Sequence, residues 1–344
     1  MCNPDTPSSA QDHIGVTTPH QAALVPDSDN SDADSAIGES IGGSLTASLA
    51  SSVLNYKYEN GRRYHAYREG QYILPNDEQE QDRLDMLHHI YKLIIGGALY
   101  RAPLTGDYGW RILDIGCGTG LYCIEIADEF PNALVIGTDL SAIQPEWVPP
   151  NCRFYVDDIE SEWAYPPNEH FDYIHGRALC GSIADWPKLF SQALTNLKPG
   201  GLMEMQEYHC EVLSDDQTSE QATYLLDWVV QMNEASKKFG KELATANGLK
   251  KQMTDAGFID VHEEIYKVPI GPWAKGKRNK ELGMYYRAQF VDAVEPFTMA
   301  LFTRVLGYTA EEALIVVARV KSDLLNPKLH MYVNFHYIWG NKAR

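Results

Sequence analysis

The run RILDIGCGTG, Arg111 to Gly120, constrains this chain more than any other. Ile112, Leu113 and Ile115 make a short apolar strand, and three glycines at alternate positions follow it. Glycine lets the backbone turn tightly and lets a ligand approach the main chain. Leu121, Ile124, Ala127 and Phe130 then recur at helical spacing, Pro131-Asn132 turns the chain, and Leu134–Thr138 reads as a second buried strand. Strand, helix, strand in so short a span is a βαβ unit, and its crossover makes the strands parallel. The alternation continues. Arg153–Val156, Phe171–His175 and Leu202–Glu207 read as strands, and Pro187–Leu197 reads as a helix closed by Lys198-Pro199-Gly200-Gly201. The spacing predicts a doubly wound, Rossmann-like α/β domain. Further helices are expected at Thr218–Lys237, Lys241–Ala256, Asn279–Leu306 and Ala310–Leu325, with strands at Phe258–Val268 and His330–Trp339.

A dinucleotide site wants G-x-G-x-x-G, which from Gly116 puts the third glycine at 121. That position is Leu121, and the glycine falls at Gly120 instead. Asp114 precedes the loop, and an anion there repels a pyrophosphate but suits an ammonium. S-adenosylmethionine (SAM) has an amino acid end, a sulfonium and no phosphate. Two more acids follow at strand ends. Asp139, next to Leu140, is placed to accept from both ribose hydroxyls. Asp157-Asp158-Ile159 offers an acceptor for the adenine amine and an apolar side chain for its ring. Three such cues at successive carboxyl ends of parallel strands mark a ligand crevice. The cofactor residues expected are Asp114, Gly116, Cys117, Gly118, Gly120, Asp139, Leu140, Asp158 and Ile159, with Tyr64 and Tyr72 from upstream.

Charge separates the chain into two regions. All 29 bases lie after residue 56, against 40 of the 47 acids, while the first 56 residues hold seven acids. Residues 1–55 are rich in Ser, Asp, Ala and Gly and are expected to form a disordered acidic tail. A formal net charge of -18 argues against a nucleic-acid partner. No apolar stretch is long enough for a membrane span, and no cysteine or histidine spacing suggests a metal. The six cysteines carry no CxxC pair and, with no secretory signal, are expected as reduced thiols of a cytoplasmic or nuclear protein. KGKRNK at 275–280 reads as a solvated loop or a nuclear localisation signal.

Between tail and glycine loop lies a tyrosine-rich lead-in with Tyr56, Tyr58, Tyr64, Tyr67 and Tyr72. It precedes a helix expected from about Asn76 to Gly96. Residues 56–105 are expected to form a cap or lid of helices, and 106–344 the main domain with helical insertions at about 217–256 and 279–325. Arg63 and Arg68 are candidate partners for a ligand carboxylate.

With these residues in place, the chain resembles the class I SAM-dependent methyltransferases, and within them the fungal LaeA-like group. The matching stretches are NGRRYHAYREGQYILPNDEQEQDRLD, LDIGCGTG, GTDLSAIQPEWVPPNC and FDYIHGRALCGSIADWP, with a looser YIWGNK near the end. The resemblance spans about residues 56–344. It implies a seven-stranded, mostly parallel sheet with a reversed last strand, and SAM bound by the residues above. It also implies velvet-type or methyltransferase-like partner proteins and a link to secondary metabolism and development.

Methyl transfer needs alignment, and a base only for acceptors that must lose a proton. His175, Glu207 and His209 are the candidates, at the ends of the fourth and fifth strands of the sheet. The acceptor is expected to be a small molecule or a protein side chain. The alternative is a regulatory partner protein that binds SAM and acts mainly through protein interaction.

Overall fold

The computed structural model describes residues 16–17 and 56–344 except 66, 69 and 106–108. The expected disorder of the tail lies outside the described residues. Val16–Thr17 (β1) are described, and their backbone pairs antiparallel with a sheet edge. A hairpin follows, β2 Lys57–Glu59 and β3 Arg62–Tyr64, and then α1 Glu78–Ile94. The lead-in before α1 is therefore not helical, which corrects the expectation of cap helices there. The turn Asn60-Gly61, with both residues at positive φ, suits a hairpin and not a helix.

The alternating domain runs β4 Arg111–Ile115, α2 Leu121–Glu129, β5 Leu134–Asp139, β6 Cys152–Val156, β7 Phe171–Arg177, α3 Trp186–Asn196 and β8 Leu197–Tyr208. Then come α4 Thr223–Phe239, α5 Ala246–Ala256, β9 Ile259–Pro269, α6 Lys277–Thr298, α7 Ala310–Leu324 and β10 Tyr332–Asn341. The strand order is β1-β9-β10-β8-β7-β4-β5-β6. β8, β7, β4, β5 and β6 are mutually parallel, and β10 runs antiparallel to both β8 and β9. This is the expected seven-stranded sheet with a reversed last strand, extended at one edge by β1. β4 and β5 are buried almost throughout, as interior parallel strands must be.

Two local differences have physical causes. Lys198-Pro199-Gly200-Gly201 does not simply close α3 but opens β8, where Gly200 N–H donates to Lys342 O and Lys342 N–H to Gly201 O. The helix expected over 279–306 is α6 followed by a π-helical stretch, Met299–Leu306. Pro296 inside α6 lacks an N–H, so the α ladder is already interrupted near that point.

α1 is capped by Asp77, whose carboxylate accepts from Glu80 N–H and holds Arg62 at 2.6 and 2.8 Å. One salt-bridged cap therefore ties the hairpin to the helix. On the far face of α1, Tyr91 meets Phe335 edge-on at 5.2 Å and its carbonyl accepts from Tyr337 Oη. α1 is thus fixed across β10 with its first turns over the carboxyl ends of the parallel strands.

Candidate cofactor and acceptor site

The glycine loop makes the floor. Gly116, Gly118 and Gly120 all have positive φ, at 65°, 56° and 83°. A Cβ on Gly116 would lie 2.5 Å from Leu179 Cδ2, so that side chain would have to move, and the positive φ is what favours glycine there. At Gly118 the space is open apart from Leu84 at 3.6 Å, and conformation alone demands it. Above this floor lies a cleft of about 840 Å³ at the carboxyl ends of β4, β5, β6 and β7. A smaller hollow of about 430 Å³ adjoins it and shares Leu84, Gly116, Gly118, Arg177 and Ala178.

Most of the expected cofactor residues come together here. Gly116, Gly118, Asp139, Leu140, Asp158, Ile159 and Tyr72 line the cleft, and Asp114 and Cys117 line the hollow. Gly120 lies outside both, as the N-cap of α2 against Phe154. Tyr64 also lies outside. It is buried on the hairpin with Arg304 over its ring at 4.9 Å, which corrects its expected place at the cofactor.

Asp139 is held by two backbone donors, Gly118 N–H and Ser141 N–H, each at 2.8 Å. Each carboxylate oxygen keeps a lone pair for a ligand hydroxyl. Burial and the nearby Asp114 push its carboxyl up to about 6. Asp114 is buried, with Oδ1 2.7 Å from His175 Nδ1 and Oδ2 accepting from Cys123 Sγ. Asp158 accepts from Glu160 N–H and Ser161 Oγ, and Arg68 ion-pairs with it at 3.3 Å. Arg68, at a strained φ of 55°, also reaches Ser161. The lead-in thus crosses the cleft mouth. Asn76 donates to Ser141 Oγ on the facing wall.

Five carboxylates face this space: Asp114, Asp139, Asp157, Asp158 and Glu160. The cations beside them are engaged. Lys241 bonds Glu160 and the Ser182 carbonyl, and Arg177 bonds His88 Nδ1. Such a donor set fits a cationic, hydroxyl-bearing ligand such as SAM and disfavours a phosphate.

The three candidate bases fare differently. His175 is fully buried, stacked on Tyr122 at 3.6 Å, and lines neither space. A base must reach the proton it removes. The expectation that His175 is that base is corrected: it orients Asp114. Glu207 is also fully buried, and its oxygens accept from Leu179 N–H at 2.8 Å and Cys180 N–H at 3.0 Å. Burial raises its carboxyl to about 7. It therefore holds the loop that forms one wall of the cleft and does not meet an acceptor. His209 is half-buried and lines a separate cavity, with Nε2 3.0 Å from Asn247 Nδ2. Burial and His336 lower its ring to about 4.

Arg63, a candidate partner for a ligand carboxylate, is spent on Asn76 and Glu78. Sequence reasoning missed Asn76, Ser141, Leu179 and Lys241. Ser141 follows Asp139 so closely that its place on the wall was readable. Lys241 arrives from a distant helix connection, and no local pattern signals it.

Residues 69–263 match the family described as "Methyltransferase domain". The chain is 41% identical over 300 residues to methyltransferase pytC of Aspergillus terreus, covering 87% of this chain and 92% of that protein. It is 38% identical to secondary metabolism regulator LAE1 of Cochliobolus heterostrophus, covering 82% and 92%. It is 35% identical to a protein-methionine methyltransferase, laeA of Emericella nidulans, covering 83% and 76%. Among the described residues no helix is long and apolar enough to cross a membrane. Fold, cleft chemistry and similarity over most of the chain agree: it belongs to the SAM-dependent methyltransferases, among the relatives of pytC and the LaeA regulators.

Proposed function

We propose that this protein transfers a methyl group from SAM to an acceptor belonging to, or regulating, fungal secondary metabolism. The observation that carries the reading is the set of carboxylates at the ends of β4, β5 and the loop after β6, around an open glycine floor. Asp139 takes the ribose hydroxyls. Asp158 and Ile159 take the adenine. Gly116, Gly118 and the hollow containing Asp114 take the amino acid end. Bound SAM supplies a methyl on a sulfonium, a group already activated for displacement. What the chain adds is alignment and the exclusion of water, the second by Tyr72 and the Arg68 bridge over the cleft. The name of one relative, secondary metabolism regulator LAE1, supports the link to secondary metabolism.

Calorimetry with S-adenosylhomocysteine tests the site, and methyl-labelled SAM with a fungal extract tests the transfer. Gly118→Val puts a branched residue at φ 56° and is expected to weaken binding by roughly tenfold or more. Label is expected in the solvent-extractable or the protein fraction with wild type and not with the variant. Unchanged affinity in both Gly118→Val and Asp139→Ala, or no label above the variant's background, overturns the assignment.

A further inference from the structure

SAM carries a carboxylate beside its ammonium, and that carboxylate needs a cation. The two arginines the sequence offers for it are engaged, Arg63 with Asn76 and Glu78 and Arg68 with Asp158. Two other cations, Lys241 and Arg177, line the cleft or the hollow. Lys241 is paired with Glu160. Arg177 has no carboxylate partner among the described residues. Its side-chain hydrogen bond there runs from Nη2 to His88 Nδ1 at 2.9 Å. Its guanidinium also lies over the rings of Tyr91 and Tyr122, at 5.0 and 5.5 Å. Aromatic faces attract a cation but do not take its N–H groups in the plane of the fork, so part of the fork stays open. Acids outnumber bases in this chain by 47 to 29. A half-buried arginine that none of them pairs with is a partly desolvated cation lacking an anion, a costly state.

Arg177 is also held in place. Arginine has no acceptor atom, so His88 Nδ1 accepts and the ring proton sits on Nε2. Nε2 lies 3.2 Å from Glu125 Oε2, which Lys92 Nζ holds at 2.6 Å. Burial and the Arg177 charge lower the His88 ring to about 3. A neutral imidazole orients the guanidinium without cancelling its charge. These contacts join α1, α2 and β7, and Arg177 stands where cleft and hollow meet, lining both. In the lining of the hollow Arg177 is the one Lys or Arg, and Asp114 is the one Asp or Glu. A single acid and a single base beside a glycine loop complement a zwitterion.

We propose that Arg177 binds the carboxylate of SAM's amino acid end, with His88 as the residue that positions it. The inference rests on the methyltransferase reading and deepens it by assigning a further residue to the cofactor. The carboxylate takes N–H groups that Arg177 leaves open, while Asp114 faces the neighbouring ammonium. Holding that end fixes the arm that carries the sulfonium, and so the line along which the methyl leaves.

The test is calorimetry on the full chain with three ligands. They are S-adenosylhomocysteine, its decarboxylated analogue, which keeps the amine, and methylthioadenosine, which lacks the amino acid end. Wild type should bind S-adenosylhomocysteine roughly tenfold or more tighter than the decarboxylated analogue. Arg177→Met should lose that preference and still bind methylthioadenosine as wild type does. His88→Leu removes the acceptor that holds the guanidinium and should reduce the preference several-fold. His88→Asn, which keeps an acceptor close to the place of Nδ1, should restore it. A merely structural role would move all three affinities together and leave the preference alone. Equal affinity of wild type for S-adenosylhomocysteine and its decarboxylated analogue, or an unchanged preference in Arg177→Met, overturns the proposal. Arg177→Gln makes the same comparison where Arg177→Met does not fold. A preference lost in the Arg177 variant and kept in His88→Leu overturns the positioning role. If wild type binds neither S-adenosylhomocysteine nor methylthioadenosine, the cofactor reading is what fails.

Discussion

Asp139 carries the sharpest consequence at the scale of single residues. Its carboxyl, ordinarily at 3.8, sits at about 6 in the folded protein because burial and Asp114 disfavour its charge. Between those values the folded chain keeps a proton that the unfolded chain has lost, so this group makes stability fall as pH rises across the window. A ribose that donates two hydrogen bonds favours the charged form and pulls the pKa back down. Affinity for S-adenosylhomocysteine is therefore expected to rise as pH rises through about 6, with a proton released on binding near that pH. Calorimetry in buffers of different ionisation enthalpy measures the release. Asp139→Asn should abolish it and weaken binding by about 1–3 kcal/mol. Release that persists in the variant would assign the proton to another raised carboxyl such as Glu207, lifted to about 7. Residue by residue, the acids at strand ends were legible because strand, glycine loop and acid are neighbours in sequence. The fate of His175 was not. It stands opposite Asp114 in the β4–β7 register, so the two side chains meet inside the sheet layer, and only the pairing reveals that.

At the scale of elements, periodicity found the helices and strands but not their joints. α3 was readable from Leu189, Phe190 and Ala193, all buried on one face. The expectation of cap helices fails in the lead-in. Asn60-Gly61 makes a hairpin instead and sends Tyr64 toward Arg304, away from the cofactor. What remains of the lid expectation is the stretch from 65 to 76. Tyr72 lines the cleft, Arg68 bridges to Asp158 and Ser161, and Asn76 bonds Ser141. The ion pair is half exposed and so weak by itself, and Arg68 holds it in a left-handed conformation. Such a bridge opens readily unless a ligand beneath it adds contacts. A chymotrypsin-type protease is expected to cut after Tyr67 quickly in the ligand-free protein and slowly with S-adenosylhomocysteine. Arg68→Ala should speed the cut without ligand. Equal rates with and without ligand would make this stretch a fixed layer.

The whole molecule is a methyltransferase sheet with a helical mass added on one side. That its strands are parallel followed from the alternating pattern and the reversed last strand from the resemblance; the spatial order of the strands and the packing of α1, α4, α6 and α7 over β9 and β10 did not. That packing joins residues far apart in sequence, such as Trp228 Nε1 donating to Thr298 Oγ1, 70 positions on, at 2.8 Å, and no local period encodes it. The same mass lines an apolar cavity, with Trp228, Met232, Phe290 and Phe297 on its walls, and no local pattern signals that either. Residues 1–55 carry seven acids and no base, and the described link from them to the domain is the two-residue pairing of Val16–Thr17 with β9. So short a ladder on a sheet edge contributes little buried apolar area. Deleting residues 1–55 is expected to leave the thermal midpoint within a few degrees, since a segment so low in apolar residues contributes little buried area. The deletion also bares the outer edge of β9 and removes like charges that keep molecules apart. Self-association that increases with salt is therefore expected in sedimentation of the truncated chain and not of the full one. A large drop in midpoint with no change in association would show instead that the tail packs on the domain.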